Sequence, residues 1–268
     1  MKIFKHWIAE KRRVNIQGEN KEITTYGGSN ASVEDAAFRA KEKMDKIIRK
    51  INGESDVFED YEVEIREEIL QTLDSKTIIT RNRYGAQVMN AESLMFLDID
   101  KPKPAGLGGL FKKSSPESDK EKIYEMVRKL AAASKYQGLA FRTYETFQGA
   151  RVIVLGRDFD PRELFAMGMM KEFNCDALYT AICRKQACFR ARLTPKPRRI
   201  QMESYKVKYP REGMDAAYET WLQRYETESR RYSVCRFVEQ LGTSPFGMPE
   251  AVRMHDELTG ANLHQPLA

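Results

Sequence analysis

Residues 94–100 read LMFLDID, an apolar run that ends in two acids separated by one residue, Asp98 and Asp100. Side chains alternate between the faces of a strand, so these carboxylates should project from one face, close together. Like charges held that close repel unless a cation or strong donors lie between them. Carboxylate oxygens suit hard divalent ions such as Mg²⁺ or Mn²⁺. Two such ions can clamp the attacking and leaving oxygens of a phosphoryl transfer. The plain alternative is that Asp98 and Asp100 simply open a solvated loop.

A metal site of this kind wants a third acid. Asp176, in FNCDALY, and Glu145, in the strand expected beside LMFLD, both qualify, and spacing leaves the choice open. Asp176 would equally serve as a helix N-cap. Cations stand nearby in FRARLTPKP, residues 189–197, where alternation puts Arg190 and Arg192 on one strand face. Adjacent guanidiniums need an anion, and phosphate accepts them through paired hydrogen bonds. They could instead pair with Asp98 and Asp100, which would make a structural ion cluster. Lys196, held in the stiff TPKP segment, is a further phosphate candidate. The QGAR segment at 148–151 adds Arg151, with Arg142 and Tyr144 on the facing strand, and Gly149 permits a tight turn or close approach. The run GLGGLFKKS is no P-loop, because Lys112 stands where that motif needs glycine.

The chain of 268 residues is 41% hydrophobic and 31% charged, enough for a substantial core. Its net charge is +6, and the excess is local: KPRR at 196–199, and four lysines without an acid across 101–113. Such clusters suit a polyanion, nucleic acid or nucleoside triphosphate, as well as an ordinary basic surface. The cysteines Cys175, Cys183, Cys188 and Cys235 form no C-x-x-C, and His6, His255 and His264 are scattered, so buried thiols fit better than a zinc site. No apolar run reaches bilayer length and the N-terminus carries no signal-peptide pattern, so a cytoplasmic protein without a membrane partner is expected.

The elements that must position these groups follow from periodicity. Short β-like runs fill 2–26, and Ser32-Val33-Glu34-Asp35 opens a helix through about Lys50. Residues 61–72 read ambiguously. TIITR and AQVMN pair across a turn at Arg83–Gly85, and SLMFLD is a buried strand. Residues 101–118 form a long Pro-, Gly-, Ser- and Lys-rich loop. An amphipathic helix at 119–134, strands LAFRTYET and ARVIVLG, helices from Asp160-Pro161 and near Asp176, and strand ACFRARLT follow. The order is β-α-β-β-α-β, the ferredoxin-like or RRM-like arrangement found in polymerase palms. IQMESYKVKY then reads as a strand, 213–231 as a helix, YSVCRFVEQ as a strand and 249–259 as a helix. The expected fold is α+β: an N-terminal α/β module at 1–90, a palm-like core at 91–200 and a C-terminal extension at 201–268.

MFLDID, CDALY and ACFRARLTPKP together resemble three stretches of the archaeo-eukaryotic primase superfamily, in particular its primase-polymerase branch. The resemblance spans residues 90–200. It implies a metal-dependent nucleotidyltransferase in which Asp98, Asp100 and Asp176 hold Mg²⁺ or Mn²⁺. Arg142, Arg151, Arg190, Arg192 and Lys196 would bind the phosphates of a nucleoside triphosphate, with single-stranded or template DNA as partner. The middle motif departs: Arg151 stands where the family carries histidine. A two-metal nuclease or phosphohydrolase, and a non-catalytic nucleotide or nucleic-acid binder, use the same residues.

Overall fold

A computed structural model describes residues 1–54, 63–101, 116–206, 209–211, 215–244 and 246–268. Most of the expected loop at 101–118 lies outside the described residues. Strands β1 (His6–Ile16) and β2 (Glu19–Ser29) form a hairpin closed by Gln17-Gly18, with φ of 53° and 87°. Two positive φ values give the tight turn whose twist matches that of its strands. Helix α1 (Val33–Ile51) begins where Ser32 accepts a hydrogen bond from the Asp35 amide, as the sequence motif requires. It packs on the hairpin through Ala36, Ala40 and Met44. A Cβ at Gly27 would lie 2.2 Å from the Ala36 carbonyl oxygen, so only glycine allows that approach.

Strands β3 (Glu68–Asp74), β4 (Thr77–Arg81) and β5 (Gln87–Ala91) form an antiparallel meander. Strand β6 (Met95–Asp100) is followed by α2 (Pro116–Ala131), and β7 (Ala140–Thr146) and β8 (Gly149–Leu155) make a hairpin. Helices α3 (Leu164–Glu172) and α4 (Ala177–Gln186) lead into β9 (Phe189–Arg192), and α5 (Ala216–Ser229), β10 (Cys235–Leu241) and α6 (Glu250–Thr259) complete the chain. No described helix is long and apolar enough to cross a membrane.

The α+β class is as expected, but the sheet is built differently from a four-stranded βαββαβ palm. One sheet has the order β10-β7-β8-β6, and the other β3-β4-β5-β9. β6, β8 and β7 take the places expected of strands one, three and two. β9 does not complete that sheet. It pairs antiparallel with β5, Val88 opposite Arg192 and Ala91 opposite Phe189, while β10 extends the other edge along β7. The left-handed Ala187 (φ 52°) ends α4 just before β9 turns toward β5. IQMESY is also no strand: Pro197–Ile200 is a helical turn, and Ile200 and Met202 pack against Tyr218 and Tyr225 instead of entering a sheet.

Every residue of β8 is buried. On one face of its sheet Asp98 lies opposite Arg151, Asp100 opposite Gly149, and Arg151 opposite Tyr144. Helix α6 covers part of this face, with the His255 ring 5.0 Å from Tyr144 and 5.9 Å from Phe96. The opposite face receives α2, where Lys120 bonds Glu145, and Phe173, which stacks on Phe141 at 5.6 Å.

The close approach of β6 and β8 depends on Gly149. A Cβ there would lie 2.0 Å from the Ile99 carbonyl oxygen and 3.0 Å from the Asp100 Cα, and backbone cannot step aside cheaply. Gly149→Ala should therefore lower stability by about 1–3 kcal/mol, read as a fall in the urea midpoint. An unchanged midpoint would show that the two strands have room to spare.

Candidate functional site

At the end of β6, Asp98 is half-buried and Asp100 exposed, on the shared face that alternation required. The Asp100 carboxyl is pushed above its usual range, first by burial and then by the charges of Asp98 and Asp176; Lys196 and Arg199 oppose that shift. Three acids and two cations thus act on one another here. Among the described residues, neither Asp98 nor Asp100 has an ion-pair partner or a side-chain hydrogen bond.

Asp176 reaches the site through the backbone, its amide donating to the Asp98 carbonyl at 3.0 Å. Its Oδ1 accepts from the Tyr179 amide at 2.7 Å, so it also caps α4. The N-cap role expected from sequence is therefore present, and the same residue stands near enough to Asp100 to act on its carboxyl. Glu145 belongs elsewhere. It points to the opposite sheet face and is held by Lys120 at 2.5 Å and Arg236 at 3.4 Å.

The five cations expected at phosphates separate into distinct groups. Arg192 and Lys196 stand with the acids. Burial, followed by the charge of Arg151, lowers the Arg192 guanidinium to about 10, while Asp98 acts to raise it. Burial lowers Lys196 to about 8, with Arg192, Arg199 and Arg198 adding to the effect. Among the described residues neither side chain has an acidic partner. The pairing of Arg190 and Arg192 with the aspartates is therefore not what the structure contains.

Arg190 bonds Glu67 at 2.6 Å and Gln186 at 3.3 Å. Arg142 bonds Asp256 at 2.7 Å, Gln240 at 3.0 Å and the Tyr144 hydroxyl at 2.9 Å. Their cross-links leave both as parts of the scaffold. Arg151, 6% exposed, donates to the Arg192 carbonyl at 3.0 Å and meets His255 Nε2 at 3.1 Å. It joins the two sheets and is not a free cation facing solvent. Arg199, noted in the sequence only as part of a basic run, belongs at the site instead. It donates to Gln148 Oε1 at 2.9 Å and lies 4.6 Å over the Phe147 ring.

His255 was invisible from sequence, separated from Arg151 by 104 positions. An arginine N–H can only donate, so Nε2 accepts and Nδ1–H donates to Asp256 Oδ1 at 3.0 Å. The Tyr144 hydroxyl donates to the same oxygen at 2.6 Å. The one available signal was the amphipathic pattern at 249–259, which places a buried face on α6 without saying what it meets.

No family model matches the chain, and no curated protein or solved structure matches it either.

Oxygen donors, like-charge crowding at Asp100 and the unpaired Asp98 fit a hard divalent cation. Among the described residues, no three His, Cys, Asp or Glu side chains are arranged as a metal cage. Mg²⁺ commonly takes only one or two protein carboxylates and completes its shell with water and phosphate oxygens. The residues present suit that mode better than a closed protein site.

Burial holds His255 neutral, its pKa lowered from 6.5 to about 4. Between those values the unfolded chain binds a proton that the folded chain does not. The stability contribution is therefore complete above the unfolded value and is lost as pH falls toward 4. Unfolding free energies from urea titrations measured from pH 7 downward should fall for the wild type, by at most about 1.4 kcal/mol per pH unit from this group. His255→Gln should have a shallower slope. Parallel slopes would show that His255 is not the titrating group.

Proposed function

We propose that the chain is a metal-dependent nucleotidyltransferase of primase-polymerase type, acting on nucleoside triphosphates and nucleic acid. One observation carries the reading: Asp98 and Asp100 lie beside Arg192 and Lys196, and among the described residues none of the four has an ion-pair partner. Among the described residues each set of like charges lacks a paired complement, and a metal–phosphate ligand supplies both.

In this reading Asp98 and Asp100 hold Mg²⁺ or Mn²⁺, with Asp176 beside them. The ion, when bound, neutralises phosphate charge and activates the attacking oxygen. Arg192 and Lys196 grip phosphate oxygens, and Arg199, stacked on Phe147, flanks them. A phosphate next to Lys196 favours its protonated form and so reverses the lowering caused by burial and its cationic neighbours. Arg151, itself bonded to His255, holds the carbonyl of Arg192 and thereby the start of the cationic segment. Such a reaction depends on positioned charge more than on a special nucleophile.

The test incubates the protein with Mn²⁺, labelled nucleotides and single-stranded DNA. Extension is expected, and Asp98→Asn and Asp100→Asn should each reduce it at least about 100-fold with urea midpoints kept near wild type. Degradation of the DNA would replace the reading with a two-metal nuclease. Nucleotide binding without turnover, unchanged in Asp98→Asn, would leave a non-catalytic binder.

A further inference from the structure

The turn Asn82–Gly85, between β4 and β5, separates two cationic cavities. The first, about 420 Å³, is lined by Asn82, Tyr84, Arg192, Lys196 and Arg198, with no acid among its lining residues. It opens beside the candidate site through Arg192 and Lys196. The second, about 550 Å³, lies across the turn and is lined by Tyr26, Lys43, Glu64, Arg66, Arg83 and Tyr209 among others. Its one acid, Glu64, is bonded to Lys43 at 2.7 Å. That pair leaves Arg66 and Arg83 as the surplus charge.

Both arginines are exposed, and among the described residues neither has a carboxylate partner. Each instead lies against an aromatic ring: Arg66 is 3.4 Å from the centre of Tyr26, and Arg83 is 4.8 Å from the centre of Tyr84. Arg83 also donates to the Tyr84 hydroxyl at 2.6 Å. Unpaired guanidiniums alternating with aromatic faces are the surface that single-stranded nucleic acid uses, with phosphates on the cations and bases on the rings. A duplex hides its base faces and cannot use the rings in this way.

The geometry points to a single-strand track that starts in the Arg66–Tyr26 cavity, crosses the Asn82–Gly85 turn over Arg83 and Tyr84, and enters the Arg192–Lys196 cavity beside Asp98 and Asp100. The track deepens the proposed nucleotidyl-transfer reading, which supplies only the reason for the strand to end at the acids. Binding along the track does not itself need metal or turnover.

The experiment measures fluorescence anisotropy of a labelled oligothymidylate in metal-free buffer over a range of salt. The double variant Arg66→Glu/Arg83→Glu should bind at least about tenfold more weakly, and its salt slope should fall by about 0.7 for each phosphate no longer neutralised. Tyr84→Ala should weaken binding about tenfold through reduced base stacking. Lys129→Glu, on the opposite side of the β6–β8 sheet, should bind like wild type, and tripolyphosphate binding should be unchanged in the double variant. The track is overturned if wild type binds no oligonucleotide, binds duplex equally well, or is indifferent to Arg66 and Arg83. If oligonucleotide binding responds as expected while Mn²⁺-dependent incorporation is absent, the track stands and only the catalytic reading falls.

Discussion

The Arg151 guanidinium is the joint on which the site depends. It rises from β8, the fully buried strand of one sheet, and donates to the Arg192 carbonyl in β9, which belongs to the other. A buried cation is tolerable only with its hydrogen bonds made, because removing a partner leaves an uncompensated charge out of water. His255 supplies one partner, Asp256 orients His255, and Arg142 and Tyr144 fix Asp256. The β9 backbone, paired with β5, is thus also tied at Arg192 to α6, an element far away in sequence. Burial keeps His255 neutral, and the charge of Arg151 adds to that effect, while the bond to Asp256 works the other way.

Two groups of like charge meet where the sheets adjoin, and among the described residues no ion pair joins them. Burial and the neighbouring acids raise Asp100, while burial and the neighbouring cations lower Arg192 and Lys196; each group only partly offsets the shift in the other. Direct acid–base pairing would relieve both strains. Held apart, the acids retain the field that attracts a cation, and the bases the field that attracts phosphate. Gly149 contributes sterically by letting β8 lie against the carbonyl of Ile99, one residue from Asp100. The site is thus a matter of backbone placement at least as much as of charged side chains.

Local rules made much of this visible in the sequence. Alternation put Asp98 and Asp100 on one face, Ser32 announced α1, and the turn residues around Gly85 joined β4 to β5. What local rules could not supply was the far partner. FRAR alternates equally well in either sheet, and its choice of β5 is made by pairing Asn90 with Arg190 across a hundred residues. The partners of Arg142 and Arg190, Asp256 and Glu67, lie 114 and 123 positions away, so a phosphate-binding arginine and a structural one look identical in sequence. IQMESY carries β-forming residues, yet burial against Tyr218 and Tyr225 outweighs that preference.

Arg190 and Arg192 make the distinction physical. They sit two residues apart on one face of one four-residue strand, with the same chemistry and the same local pattern. Glu67 reaches Arg190 and neutralises it, whereas no described carboxylate reaches Arg192, although Asp98 lies near enough to act on it. A fold that needed only to satisfy its charges could bring a carboxylate to Arg192 as it does to Arg190. Instead the Arg192 main chain is clamped by Arg151 while its guanidinium lacks an anion among the described residues. Rigid backbone with unsatisfied charge favours an external ligand, because the entropy of positioning the cation is lost on folding and need not be lost again on binding.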